Sequence, residues 1–267
     1  MNDTQINLAA AILVEARLAR DRFEALPDEL VPASEGDAYR LQEVVHRLLT
    51  AHGQGDFVGH KIGCTTAVMQ AYLGIHNPSA GGVLRAETHA SGAVVQVRGA
   101  NRLGVECEVA VRLSSDLPPR SAAAPYDRAT VGAAVGECMA AIEIVEDRYV
   151  DYGALDAQTL IADDFFGAGV VLGRPVAGFD PEALDQVFAQ MLIDGSEVGS
   201  GCGEDVLGHP LEALAWLARS ASTRGITLRA GEFVMLGSLV ATHWIDPGSA
   251  VQIINDPLGE VSVRFVA

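Results

Sequence analysis

Basic side chains are scarce: 18 lysines and arginines face 35 aspartates and glutamates, a formal net charge of -17. The mean field of such a surface repels phosphate backbones and anionic bilayers, which argues against nucleic-acid and membrane-surface roles. An anionic substrate would need local cations of its own, and a bound metal is the simplest source. Cysteine is also sparse. Cys64, Cys107, Cys138 and Cys202 form no CxxC pair and have no zinc-ligand spacing, so they read as reduced core thiols. No stretch approaches the roughly 18 uninterrupted apolar residues of a membrane helix. The N-terminal order, acids around a short apolar stretch followed by arginines, is the reverse of a signal peptide, so the cytoplasm is the expected compartment. GxGxxG and GxxxxGK[ST] loops are missing, which removes the usual grounds for a nucleotide cofactor.

What is present divides into two textures. In the first, Leu8, Ile12, Leu13, Ala16 and Ala19 recur at helical spacing. A second helix is expected from Ser34, where SEGD resembles a capping box, with a stripe through Tyr39, Leu41, Val44, Val45, Leu48 and Leu49 and a stop at Gly53. These predict a small helical cap over residues 1–56. From residue 57 to 267 short β-type runs dominate: VGHKIGC, AVVQVRG, VECEVAVRL, AIEIVEDRYV, GAGVVLG, VFAQMLIDG, EFVMLGSLV, AVQIIND and EVSVRFVA. Asp194-Gly195 and Asp256-Pro257-Leu258-Gly259 supply turns, and helices are expected over Tyr126–Cys138 and Pro210–Arg224. Many strands without strict βαβ alternation predict a β-rich α+β fold.

Three acidic side chains and one lysine stand out. On a strand, Glu106 and Glu108 share a face, and pattern alone reads them, with Arg112, as a solvated edge of a half-buried strand. Glu143 sits in MAAIEIV, which has no evident polar face, so it must be protonated, paired with a cation or bound to a metal. If the three meet in the interior, they demand a divalent cation, and oxygen ligands favour Mg²⁺, Mn²⁺ or Ca²⁺ over zinc. Lys61, framed by Val58, Gly59, Ile62 and Gly63, is either an acid/base group or the partner of one of these glutamates. His60 points the other way on a strand and ranks below it. Glycines at Gly81, Gly82 and Gly237 could bring backbone N–H groups close to a carboxylate, although glycine more often marks a turn or bulge. Trp216 and Trp244 read as packing residues.

These residues fall in blocks, VGHKIGCT (58–65), MQAYLGI (69–75), VECEVAV (105–111), AIEIVEDRY (141–149), IADD (161–164), VLGHPLEALAWLA (206–218) and GEFVMLGSL (231–239). In that order they resemble the 2-keto-4-pentenoate hydratase and 4-oxalocrotonate decarboxylase family of aromatic catabolism, within the fumarylacetoacetate hydrolase superfamily. The resemblance implies a mixed β-roll or barrel-like core with an N-terminal helical cap, and a homo-oligomer. It implies a divalent metal, magnesium or manganese, on Glu106, Glu108 and Glu143, an acid/base or substrate-orienting Lys61, and Gly237 and Ser238 at the substrate carboxylate. It also draws Gly81, Gly82, Leu84 and Asp164 toward the substrate; Asp164 stands where the family often has asparagine.

The implied substrate is a small anionic 2-oxo or 2-hydroxydienoic acid, and the implied reaction is hydration of a 2-hydroxy-2,4-dienoate to a 4-hydroxy-2-oxo acid. Decarboxylation of a 2-oxo-3-enedioate is the alternative, followed by C–C hydrolysis or tautomerisation and by a non-catalytic partner subunit. One departure bears on hydration. Family hydratases commonly carry an acid in a P-D-(F/Y)-G block, where this chain has Pro78-Ser79-Ala80-Gly81-Gly82. Ser79 takes the candidate catalytic position, but a hydroxyl cannot act as a carboxylate base.

Overall fold

The computed structural model describes every residue except 21, 67–69, 72, 98, 152 and 154. Met69 and Tyr72 of the MQAYLGI block, and Arg98 of the AVVQVRG strand, therefore lie outside the described residues.

Helix α1 (Asp3–Ala19) opens on a capping box in which the Asn2 side chain accepts from the Gln5 N–H and the Gln5 side chain accepts from the Asn2 N–H. Its buried face is Ile6, Ala9, Ala10, Leu13 and Val14, and Leu8 is exposed. Of the stripe expected through Leu8, Ile12, Leu13, Ala16 and Ala19, Leu13 is buried, Ile12 and Ala16 are half-buried and Ala19 is exposed, so the buried face is rotated, because the alanine-rich middle lets small residues form the contact with the second helix. Helix α2 (Glu35–Leu49) is capped by the Ser34 hydroxyl accepting from the Asp37 N–H and buries Tyr39, Leu41, Val45 and Leu49. The two helices share an apolar cluster with Leu84 and Ala162, which joins them to the β-rich body.

That body holds two sheets. The first is built from β1 (Phe57–Gly63), β2 (Ser79–Leu84), β3 (Thr88–Ala90), β5 (Leu103–Leu113), β6 (Val135–Glu146), β7 (Gly167–Leu172) and β11 (Phe233–Trp244), in the order β2-β1-β11-β5-β6-β7-β3. A two-residue β8 (Val176–Ala177) adds to β6. Parallel pairs (β1 with β11, β3 with β7) sit among antiparallel ones, and β2 at one edge contacts β7 near the other, so the sheet curls on itself. The second sheet runs β10-β9-β12-β13-β4, from β4 (Ala93–Gln96), β9 (Phe188–Ile193), β10 (Ser196–Cys202), β12 (Ala250–Asp256) and β13 (Gly259–Val266). This is the α+β, curled-sheet architecture anticipated from the sequence.

Alternation along β5 assigns its two faces. Val105, Cys107, Val109 and Val111 enter the main core with Ile253, Val261 and Phe265 of the second sheet and Leu211, Leu214 and Leu217 of a covering helix. On the opposite face Ala110 packs with Met139, Ala141, Val83, Val170, Phe233 and Met235, an apolar plug inside the curl.

One local expectation needs correction. A helix over Tyr126–Cys138 is cut to α3 (Arg128–Gly132), because β6 already begins at Val135 and its pairing with β5 overrides the helical preference of the alanines. A further short helix, α4 (Ala157–Ala162), and the strands β2, β3 and β10 were not anticipated. Helix α5 (Pro210–Thr223) falls where expected, with proline in its first turn.

Candidate active site

The glutamates meet because of register. Glu106 of β5 lies directly opposite Glu143 of β6, and Glu108 is two residues further along the same face. One carboxylate oxygen from each falls within 4.8 Å of the others, above the apolar plug. The solvated-strand reading of Glu106 and Glu108 is overturned: Glu108 is 0% exposed, and Glu106 is half-buried beside the buried Glu143.

Such crowding has an electrostatic consequence. Burial, and then the charge of Glu143, pushes the Glu106 carboxyl up to about 7, against hydrogen bonds from Thr242 and Ser238. Burial raises Glu108 well above its ordinary value, with Glu143 and Glu106 adding to the effect and the Gly237 N–H opposing it. That N–H donates to Glu108 Oε2 at 3.0 Å, whereas Glu108 Oε1 is buried without a hydrogen-bond partner. Gly237 can approach this closely because it holds φ at 118° and because a side chain there would run into Thr65, 2.6 Å from its hydroxyl.

Lys61 of β1 is opposite Gly81 of β2 and beside Met235 of β11, which places its side chain inside the curl. Its ammonium lies 2.9 Å from Glu143 Oε1 and donates to the Phe165 carbonyl at 2.9 Å. Burial alone would lower its pKa, but Glu143, with Glu106 and Asp164, outweighs burial and raises it. Both readings of Lys61 are therefore compatible with its place: it pairs with a glutamate, and it faces a cavity.

The cavity, about 720 Å³, is walled largely by apolar side chains including Leu73, Leu155, Leu160, Phe165, Phe166 and Val240. Lys61, Glu106, Glu143 and Ser238 line it, while Glu108 lies beneath. Trp244 is part of its wall, 38% exposed, with the Arg102 guanidinium 4.2 Å over the ring, and so is not the packing residue its composition suggested. Thr242 donates to Glu106, and Asp147 and Asp205 add two further acids to the lining; pattern gave no signal for these three.

The remaining candidates lie around the cavity and not in its described lining. Ser79 pairs with Gly63 across the β1–β2 ladder and is 2% exposed. Gly81 leaves space that a side chain would take from Lys61 and Asp164. The Gly82 N–H donates to Asp164 Oδ1 at 2.8 Å, and Leu84 is packed in the helical cluster. Asp164 also meets Arg17 and His46, two residues that sequence reasoning passed over. A signal for Arg17 existed: Ile6, Ala10, Leu13 and Arg17 follow one helical stripe.

Residues 68–266 match the model of the fumarylacetoacetate (FAA) hydrolase C-terminal family. Full-length relatives include a 2-hydroxyhexa-2,4-dienoate hydratase of Comamonas testosteroni, 31% identical with 99% of each chain covered. A 2-keto-4-pentenoate hydratase of Dechloromonas aromatica is 34% identical over 96% of each chain. Among solved structures, the 4-oxalocrotonate decarboxylase of Pseudomonas putida G7, complexed with magnesium and adipate, superposes with a TM-score of 0.91 at 26% identity, covering 100% of this chain and 99% of that one. With the family model spanning most of its length and relatives aligned end to end, this chain belongs to the fumarylacetoacetate hydrolase family.

Proposed function

We propose that this chain is a metal-dependent hydro-lyase that hydrates a 2-hydroxy-2,4-dienoate, through its 2-oxo-4-enoate tautomer, to a 4-hydroxy-2-oxo acid. The observation that carries the reading is the cluster of Glu106, Glu108 and Glu143 at the floor of a mostly apolar cavity, beside a lysine. The donor set fits a hard divalent cation: three carboxylates, two of them buried, with Glu108 Oε1 left without a protein partner. Magnesium or manganese is the expected ion, and when bound it would supply Lewis-acid activation of the substrate.

The protein's own groups would do the rest. Thr242 orients Glu106, and the Gly237 N–H orients Glu108. Lys61, held between Glu143 and the Phe165 carbonyl, is placed to shuttle the proton that moves during ketonisation. The apolar walls would pack against the dienoate tail.

Kinship alone does not choose between hydration and decarboxylation, since the relatives include both. The cavity wall favours hydration. Its charged groups among the described residues are Lys61, Glu106, Glu143, Asp147 and Asp205, and the lysine is already engaged by Glu143. The second carboxylate of a 2-oxo-3-enedioate would meet acids there and no free cation, whereas the uncharged tail of a dienoate meets leucine, valine and phenylalanine. We further infer a cytoplasmic location, from the N-terminal charge order, and a homo-oligomer, as the sequence resemblance implies.

The test is an ultraviolet assay with and without Mg²⁺ on a panel of 2-hydroxydienoates and 2-oxo-3-enedioates, with products identified. Metal-dependent formation of a 4-hydroxy-2-oxo acid is expected. Release of CO₂ from the enedioates, with the dienoates inert, would replace hydration by decarboxylation, and no turnover at all would leave a non-catalytic subunit.

A further inference from the structure

Three consecutive residues, Asp164, Phe165 and Phe166, have left-handed backbone, with φ of 54°, 47° and 64°. Side-chain-bearing residues enter that region rarely and singly, so a run of three is held by its surroundings. The Asp164 carboxylate, 1% exposed, is gripped from both N-terminal helices. Its Oδ2 accepts from Arg17 Nη1 of α1 at 2.7 Å, and its Oδ1 lies 2.8 Å from His46 Nε2 of α2 while also accepting the Gly82 N–H. Arg17 reaches on to Glu87 at 3.2 Å and Asp163 at 3.8 Å, and Asp163 meets Arg148 and the Tyr149 hydroxyl, both at 3.0 Å. On the other side of the turn, the Phe165 carbonyl accepts from Lys61, and Phe165 and Phe166 form part of the cavity wall.

We propose that Arg17 and His46, acting through Asp164, clamp this left-handed turn and thereby set the position of Lys61 and of the aromatic wall, so that all three are positioning residues, two of them supplied by the N-terminal helices. Without the clamp the turn relaxes toward ordinary backbone geometry. The Phe165 carbonyl then swings away from Lys61, and the two rings leave their places on the wall. The kinetic consequence rests on the hydratase reading; the geometric one does not.

The test uses the full chain labelled with 4-fluorophenylalanine, the fluorine resonances of Phe165 and Phe166 being assigned with Phe165→Leu and Phe166→Leu. Arg17→Met is expected to keep its circular dichroism and cooperative unfolding while displacing both resonances. Its kcat on 2-hydroxypenta-2,4-dienoate should fall on the order of a hundredfold, the cost of a small misplacement of reacting groups, with Mg²⁺ affinity by calorimetry nearly unchanged. Arg17→Lys, which restores a point charge without the planar fork, should recover part of both signals. If Arg17→Met does not fold, Asp164→Asn removes the ion pair, keeps an acceptor for Gly82, and is read in the same way. Folded variants with unmoved resonances and wild-type kcat would overturn the clamp. A wild-type protein inert on every dienoate would instead sink the hydratase reading, and the fluorine resonances alone would then decide the clamp.

Discussion

Cation binding at the carboxylate cluster should be strongly pH-dependent, and its sign follows from Glu106. Burial and the neighbouring Glu143 hold that carboxyl at about 7, against an ordinary value of 4.5. A divalent ion takes the ionised form, so binding below pH 7 must expel a proton. For a single group of this kind the ionised fraction is about one half at pH 7 and falls about tenfold per unit well below it, so affinity should weaken roughly fiftyfold between pH 7 and pH 5. Glu108, also raised, makes the slope steeper. Stability obeys the same linkage. A carboxyl whose folded pKa is raised holds its proton more tightly in the folded state, so its stabilising contribution is full below the unfolded value and is lost as pH climbs toward 7. A rise from about 4.5 to about 7 corresponds to on the order of 3 kcal/mol lost by the metal-free protein. Metal should therefore raise the melting temperature far more at pH 8 than at pH 5. Calorimetric titration of Mg²⁺ in two buffers of different ionisation enthalpy measures the released protons directly, and Glu106→Gln should flatten the profile. An affinity constant from pH 5 to 7, with no buffer-dependent heat, would refute the buried-cluster reasoning.

Other outcomes follow from single side chains. Lys61→Met should lower turnover by about 10²–10⁴-fold yet tighten Mg²⁺ binding, because it removes a cation 2.9 Å from Glu143; weaker binding by calorimetry would contradict this. Gly237→Ala, forced to a φ of 118° and against the Thr65 hydroxyl, should lose about 1–3 kcal/mol in urea melts, and an unchanged midpoint would show that the strand can shift. Ser79→Asp, which supplies the acid missing from the Pro78 loop, should destabilise the fold by burying an unpaired charge and not accelerate hydration, since residue 79 is 2% exposed within β2; a folded variant with faster hydration would show that the loop opens toward substrate.

The metal-site candidates were visible in the sequence for different reasons. Glu143 could be singled out by chemistry alone, as a carboxylate in a run with no polar face, and the structure places it at 3% exposure. Glu106 and Glu108 could not, because alternation along one strand describes a wet face and a buried charged face equally well. What separates the two is the pairing partner, and the β5–β6 register that sets Glu106 opposite Glu143 is a long-range fact. The same long-range pairing defeated the expectation at Val135–Cys138, where local alanine content spoke for helix and the ladder to β5 decided for strand. Family resemblance supplied that missing register, in effect, by importing the pairing of a known sheet.

The surroundings of the cluster were harder to see, and Arg17 shows where the limit lies. Its place on the buried stripe of α1 follows from helical spacing once the stripe is drawn through Ile6, Ala10 and Leu13; drawn through Leu8 and Ile12, it sends the arginine to solvent. Small residues decide that choice, because alanine is equally at home on either face, so hydrophobic periodicity is weakest where helices pack most closely. The turn it holds was beyond reach from any local pattern. Little in Asp164-Phe165-Phe166 announces left-handed backbone: aspartate tolerates it as a single residue, but nothing marks the two phenylalanines, and no glycine is among the three. A conformation that local preference opposes has to be imposed by distant contacts, here from Arg17 and His46, and such contacts are absent from any window of sequence around the turn. That makes local-propensity failure informative: in this chain it falls where Lys61 is held against the cavity, which is why the N-terminal helices belong to the account of the site as well as to that of the fold.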